Sequence, residues 1–250
     1  MRYAILAAGE GSRLGKEGIT VPKPLVKVSG ECLIDRLIRI FCDNGATEID
    51  VICNDLTPAV GDHLRRMADG DGMGVRHVPL RYVVKTTASS MHSLFELSRL
   101  FSGDSTFCLT TVDTVFSEDE FRRYASALRT MTERGFDGLM GVTSYVDDEK
   151  PLWVGTDERL AVTGFYDSQQ DCRYVSAGIY GLTPKALTTL DRCIARGESR
   201  MRNFQRALVA DGMRLEAWQF SKVIDIDHAS DIVKAEGLIT ADGKDTPRKS

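Results

Sequence analysis

The chain has 250 residues, 42% of them hydrophobic and 27% charged, with a formal net charge of −4. This length accommodates one large α/β domain or two small ones, and the composition is ordinary for a globular protein. A net negative chain lacks the basic balance of general nucleic-acid binders, but it can still hold an anion locally.

The first predicted element is a short apolar strand, Tyr3 to Ala8. It breaks at Gly9 into Gly-Glu-Gly-Ser-Arg, and Gly15-Lys16 closes the turn. A buried strand running into glycines lets backbone N–H groups converge on an anion with no Cβ in the way. Arg13 adds a cation inside the loop and Lys23 adds another downstream, which together suggest a triphosphate site. A dinucleotide fingerprint would need a third glycine where Leu14 stands, and an acid near residues 28–30, where none is found. An ATPase-type loop would need glycine in place of Glu10 and Ser or Thr in place of Glu17. A plain structural turn is the remaining alternative, and Pro22-Lys23-Pro24-Leu25 weighs against it.

LAAGEGSRLG (6–15) followed by PKPL (22–25) resembles the signature of the nucleotidyltransferase superfamily, which includes sugar-nucleotide pyrophosphorylases and phosphocholine-type cytidylyltransferases. The resemblance implies a nucleoside triphosphate held by Leu6, Ala7, Ala8, Gly9, Gly11, Ser12, Arg13 and Lys23, with Arg13 and Lys23 also serving catalysis.

Further along, helices are expected over 31–43 and from Pro58 to about Asp69, with a strand over 47–53 between them. Strand, loop, helix, strand, helix opens a doubly wound sheet. A glycine-rich turn (70–74) leads to a strand-like stretch from Val75 to Lys85 that Pro79 must interrupt or place at an edge. Ser89 or Ser90 can cap the helix that follows. The superfamily places a small-residue nucleotide contact here, which assigns Thr86, Thr87 and Ser89 to the nucleotide. A buried strand over 106–112 delivers Asp113 at its C-terminal end, where open α/β sheets bind ligands. The resemblance makes Asp113 a metal ligand on the acceptor side.

A helix over 118–134 and a strand over 136–146 precede a hairpin over 147–167 that turns at 156–158. A strand over 172–182 then carries Ala177 and Gly178, which the resemblance puts on the acceptor wall with Lys222. Pyrophosphorylases of this kind carry Glu-Lys-Pro just after the hairpin. Here Glu149-Lys150-Pro151 precedes it and Phe165-Tyr166-Asp167 occupies the expected place, so the tripeptide reads as a coincidence and a hexose phosphate is not implied. Helices over 184–196 and 202–211 and a strand over 214–220 lead to Lys-Val-Ile-Asp-Ile-Asp (222–227), which resembles the superfamily's last metal motif. Two apart in a strand, Asp225 and Asp227 share one face; Asp227 is the favoured ligand, with Asp225 a close second metal contact or an orienting partner for Lys222.

The expected architecture is therefore α/β: a single Rossmann-like, doubly wound, mostly parallel sheet over 1–240, with an inserted β-hairpin on the acceptor side and a disordered tail over 241–250. The expected activity is Mg2+-dependent transfer of NMP, from CTP or UTP for preference, to a small phosphorylated acceptor with release of pyrophosphate. The alternatives are a metal-dependent glycosyltransferase and a nucleotide-binding module without turnover. No apolar run approaches the roughly 18 residues of a membrane span, and no signal peptide opens the chain. Six cysteines with no C-x-x-C pair fit free thiols in a reducing cytoplasm and speak against zinc. Nucleic acid and membrane are not expected partners, and an oligomer is possible.

Overall fold

In the computed structural model, residues 1–70, 78–103 and 105–245 are described, the side chains of 243–245 aside. Strand β1 (Arg2–Ala7) is buried along its whole length because both of its faces are covered. Tyr3, Ile5 and Ala7 face one apolar layer, while Ala4 and Leu6 face the other, the two-residue alternation of a central strand. The short helix α1 (Ser12–Lys16) and the ribbon β2 (Lys27–Val28) with β3 (Glu31–Cys32) follow. Next come α2 (Leu33–Asp43), β4 (Glu48–Cys53), α3 (Pro58–Ala68) and β5 (Leu80–Val84). Part of the expected turn over 70–74, and the start of the stretch from Val75, lie outside the described residues. The strand begins only after Pro79 and lies at the sheet edge, where a missing N–H costs nothing.

Helix α4 (Ser90–Ser98), strands β6 (Phe107–Thr111) and β7 (Thr114–Phe116), and helix α5 (Glu118–Arg129) complete the first half. The second half contains β8 (Gly138–Thr143), the hairpin β9 (Trp153–Thr156) and β10 (Val162–Tyr166), and β11 (Tyr174–Leu182). It ends with α6 (Lys185–Ala195), α7 (Met201–Ala210), β12 (Leu215–Phe220), β13 (Val223–Asp225) and α8 (Ala229–Asp245).

One sheet runs through both halves in the order β10-β9-β11-β6-β1-β4-β5, with β8 branching from β11 and carrying β12. The run β6-β1-β4-β5 is parallel, whereas β11 is antiparallel to β6, β8 and β9. Helices cover both faces. On one side Tyr3 stacks on Phe41 of α2 with ring centroids 4.3 Å apart, and Phe116 stacks on Phe121 of α5 at 4.8 Å. On the other, Leu94 and Leu97 of α4 meet Leu190 of α6 and Phe204 of α7. The parallel strands all end at the same edge, so the loops after β1, β4 and β6 converge there.

The expected disorder from 241 onward is corrected by α8, which continues through Asp245. Asp242 anchors it by accepting from the Ser117 hydroxyl at 2.6 Å and from the Glu118 N–H at 2.8 Å, which caps α5. Residues 246–250 lie outside the described residues.

Candidate active site

The loop after β1 is shaped by Gly11, whose φ of +62° is strained for any residue with a Cβ. A Cβ there would also stand 3.1 Å from that of Lys23, so glycine lets the two segments touch. The N–H groups of Glu10, Gly11 and Ser12 have no protein acceptor among the described residues. Asn54, at the end of β4, braces the loop from below by donating to the carbonyls of Ala8 (3.2 Å) and Gly9 (3.3 Å). Sequence reasoning overlooked this residue, although an asparagine closing a central strand is well placed for such a bond.

Three contiguous clefts open along this edge. One of 390 Å³ is walled by Leu6, Ala8, Gly9, Gly11, Lys23, Thr87, Ser89 and Asp113, all assigned from the sequence. Four other nucleotide assignments do not line it, Arg13 among them, which lines the second cleft instead. Strand alternation turns Ala7 into the core, Ser12 is exposed on α1, and the hydroxyl of Thr86 donates to Asp55. Ser89 stands at the N-cap of α4 yet caps nothing, because its hydroxyl bonds the His92 ring at 3.0 Å and accepts the Arg200 N–H at 3.2 Å.

A second cleft, of 240 Å³, is lined by Arg13, Ala177, Asp225 and Asp227, and a third, of 290 Å³, by Ser176, Gly178, Tyr180 and Asp225. Between the first two lies the charged centre. The Lys23 ammonium donates to Asp113 at 2.7 Å and to Asp227 at 2.8 Å, and Arg13 donates to the other Asp227 oxygen at 2.6 Å. Burial opposes the charge on Lys23, but Asp113 and Asp227 outweigh it and hold the ammonium above the usual lysine range. Asp225 instead accepts from the Thr114 hydroxyl at 3.1 Å. Its side chain is exposed to the water of the clefts, although many protein atoms pack close by. Desolvation first, and then the charge of Asp113, raise its pKa well above the carboxylate range.

The two late aspartates do not share a strand face. β13 ends at Asp225, and the Asp227 N–H donates back to the Asp225 carbonyl at 3.0 Å. Asp227 is also no helix cap: Glu17 accepts from the Ala229 N–H at 2.7 Å, and Asp231 from the His228 N–H at 2.8 Å. Glu17, unassigned from the sequence, thus ties the phosphate loop to the start of α8 and also bonds the His228 ring at 2.6 Å.

On the acceptor side Gly178 has a φ of +71°, and a Cβ there would come within 2.9 Å of the Thr114 hydroxyl. Its bareness therefore first serves the Thr111–Thr114 pair beneath Asp225, whose hydroxyls bond at 2.6 Å. Lys222 lines none of these clefts, and its ammonium sits 4.3 Å from the centre of the Tyr145 ring. Glu149, Lys150 and Pro151, expected to be incidental, all line the second or third cleft.

A phosphate-ready loop and a basic–acidic centre at the carboxyl edge of a parallel sheet define a nucleotide-binding α/β protein. Residues 3–161 match the MobA-like NTP transferase domain, and the chain belongs to that family of nucleotidyltransferase enzymes. It is 30% identical over 167 residues to CMP-5'-(3-aminopropyl)phosphonate synthase of Streptomyces rubellomurinus, covering 60% of this chain and 25% of that protein. It is 28% identical over 162 residues to the bifunctional IPC transferase and DIPP synthase of Thermococcus kodakarensis, covering 64% of this chain and 31% of that protein. The matched region thus spans less than a third of either relative. The inositol-1-phosphate CTP transferase of T. maritima superposes with a TM-score of 0.76 at 20% identity, over 98% of this chain and 97% of that one. A putative glucose-1-phosphate thymidylyltransferase of Bacillus anthracis gives 0.80 at 21% identity, over 100% and 98%. These two share the fold. No helix among the described residues is long and apolar enough to cross a membrane.

Proposed function

We propose that the chain transfers CMP from CTP to a small phosphorylated or phosphonate acceptor and releases pyrophosphate. The observation that carries this reading is Lys23 held between Asp113 and Asp227, with Arg13 on the second aspartate, in a cleft that Lys23 and Asp113 share with the glycine loop. Cytidine is favoured over other bases by the CMP product named for the Streptomyces relative, and that name also motivates phosphonates as acceptors.

In the proposed reaction an oxygen of the acceptor attacks the α-phosphorus of CTP, a new P–O bond forms, and the bond from the α-phosphorus to the bridging oxygen breaks as pyrophosphate leaves. The protein needs no nucleophile of its own for this; it brings anions together and neutralises charge. Loop N–H groups from Gly9 to Ser12 hold the leaving phosphates, with Arg13 beside them. Lys23 serves the α-phosphate, and Asp227 keeps both cations in place until phosphate oxygens compete for them.

Asp113 and Asp225 fit a divalent cation such as Mg2+. Both offer hard carboxylate oxygens, and the charge repulsion between them is what a cation relieves. Among the described residues no three His, Cys, Asp or Glu groups form a cage, which suits Mg2+, an ion commonly held by one or two carboxylates with substrate phosphates. Bound there, Mg2+ would neutralise charge on phosphate oxygens. Asp227, favoured from the sequence, has both oxygens engaged by cations, so we assign the second metal contact to Asp225. Pyrophosphate release assayed with each of four nucleoside triphosphates, against 3-aminopropylphosphonate and other small phosphorylated acceptors, tests the reading. CTP-specific release supports it, and no release with any pair overturns it.

A further inference from the structure

The third cleft reaches the N-terminus of α7, an end whose charges oppose its dipole. A helix N-terminus favours anions, yet the first turn of α7 has no acidic residue and no side-chain cap. Its N-cap is Arg200, with φ 73° and ψ 140°, a backbone that glycine would adopt with less strain. Arg200 and Lys150 line the cleft, and neither charged group has a partner among the described residues. Nor do the N–H groups of Met201 and Arg202 have a protein acceptor there. Arg202 itself is engaged by Asp167 and the Lys150 carbonyl.

An independent feature points into the same space. Gln205 is 2% exposed and lines the cleft. Its carbonyl oxygen accepts the Ser176 hydroxyl at 3.2 Å, but its NH₂ group has no partner among the described residues. That donor stays open to the cleft and is available to a ligand there. Two free cations, two free backbone donors and an amide NH₂ therefore converge on one cavity. The acidic residues lining it are Asp148, which takes the Lys150 N–H at 2.9 Å, and Asp225 at the end where the cleft joins the reaction centre.

Resting on the nucleotidyl-transfer reading, we infer that this cleft binds a second anionic group of the acceptor, a carboxylate or a further phosphate, remote from the oxygen that attacks. The reacting phosphonate has to meet Lys23 and Arg13, and neither lines this cleft. Asp225 marks the reacting end, so the end at α7 faces the remainder of the acceptor. The acceptor class is then a short phosphonate or phosphate ester with an anion at its other end.

The test compares 4-phosphonobutyrate with propylphosphonate, which has the same reacting group and no carboxylate, in the full chain with CTP. Wild type is expected to favour the carboxylate by roughly 10–100-fold in kcat/KM, the range for hydrogen bonds to a charged group. In Arg200→Gly that ratio should fall towards one. The glycine relieves the backbone at this position, so thermal melting should show no loss of stability. Lys150→Ala should lower the ratio independently. A wild-type ratio near one, or a ratio unchanged in both variants, overturns the inference. Calorimetric binding of the two phosphonates keeps the tests separate. A binding preference lost in Arg200→Gly, without pyrophosphate release from any pair, would sink the transfer reading and leave the anion site standing. Release without any preference would do the reverse.

Discussion

The two halves of the sheet solve different problems. The parallel half, β6-β1-β4-β5, brings three loops to one edge and builds its site from backbone: glycine N–H groups, an asparagine brace and two cations anchored by aspartates. The antiparallel half, around β11, builds its clefts from side chains contributed by the segment before the hairpin, the bulge at Gly178 and the start of α7. A triphosphate is the same whichever base it carries, so backbone recognition serves it well. An acceptor differs from enzyme to enzyme, and side chains are what can vary. The first half should therefore respond to mutation with loss of turnover, and the second with a change in acceptor choice.

Removing the Lys23 ammonium tests the first half most severely. Lys23→Ala should lower kcat by roughly 10²–10³-fold, the scale for one preorganised electrostatic group, with the fold intact by circular dichroism. Near-normal turnover would remove it from the mechanism. The two late aspartates should then separate. Asp225→Asn should cut turnover by roughly 10²-fold and flatten its response to Mg2+. The same change removes a carboxylate whose raised pKa means that its ionised form costs the folded state. Stability is fully present below the ordinary carboxylate range and is lost as pH rises through the raised value. Asp225→Asn should thus melt higher than wild type at pH 8 without metal, by about 2–4 °C, the shift for ~1 kcal/mol after solvent screening. Asp227→Asn should keep its Mg2+ response and weaken triphosphate binding, because it frees Arg13 and Lys23. If Asp227→Asn instead loses the Mg2+ response, the metal assignment reverts to Asp227.

What could be read from the sequence divides along the same line. Gly9, Gly11, Arg13 and Lys23 can be grouped from the sequence because a glycine loop limits residue type locally, and the structure brings them to one edge. Strand ends such as Asp113 followed from the apolar run before them. Ala7 and Thr86 were misplaced because nearness in sequence is not facing: strand alternation buries the first, and Asp55 takes the second. Asp225 and Asp227 do not share the expected face because the strand stops between them, which depends on β13 pairing with β7 far back in the chain. Glu17, Gln205 and Arg200 gave no local signal, since their partners Ala229, Ser176 and Ser89 are far away in the chain. The helical Asp242, expected in a disordered tail, accepts from Ser117 and Glu118, more than a hundred residues back in the chain.

Two smaller effects sharpen the contrast. Gly11→Val should weaken CTP binding by roughly 10-fold in a calorimetric titration, since a branched side chain meets both a left-handed φ and the Lys23 Cβ. Unchanged affinity would mean that the loop is only a turn. The Glu17–His228 bond should tether that loop in a pH-dependent way. Glu17 is held below its usual range by the Ala229 N–H and then by His228, and Glu17 in turn raises His228. The Glu17 contribution is present above the ordinary 4.5 and lost as pH falls through its lowered value. The His228 contribution is present below the ordinary 6.5 and lost as pH rises through its raised one. His228→Ala should therefore lower the melting temperature most between those two values, by about 1–2 °C, and converge on wild type at higher pH. A difference that grows with pH would contradict the pairing.

The central claim, direct attack by an acceptor oxygen on the α-phosphorus of CTP, is tested most directly by isotope. 4-Phosphonobutyrate labelled with ¹⁸O in its phosphonate oxygens is incubated with the chain, CTP and Mg2+, and the product is fragmented by mass spectrometry. The account predicts a CMP-linked phosphonate whose P–O–P bridge carries the label, with unlabelled pyrophosphate as the other product. A bridge oxygen that came from CTP, or a label found in pyrophosphate, would contradict it.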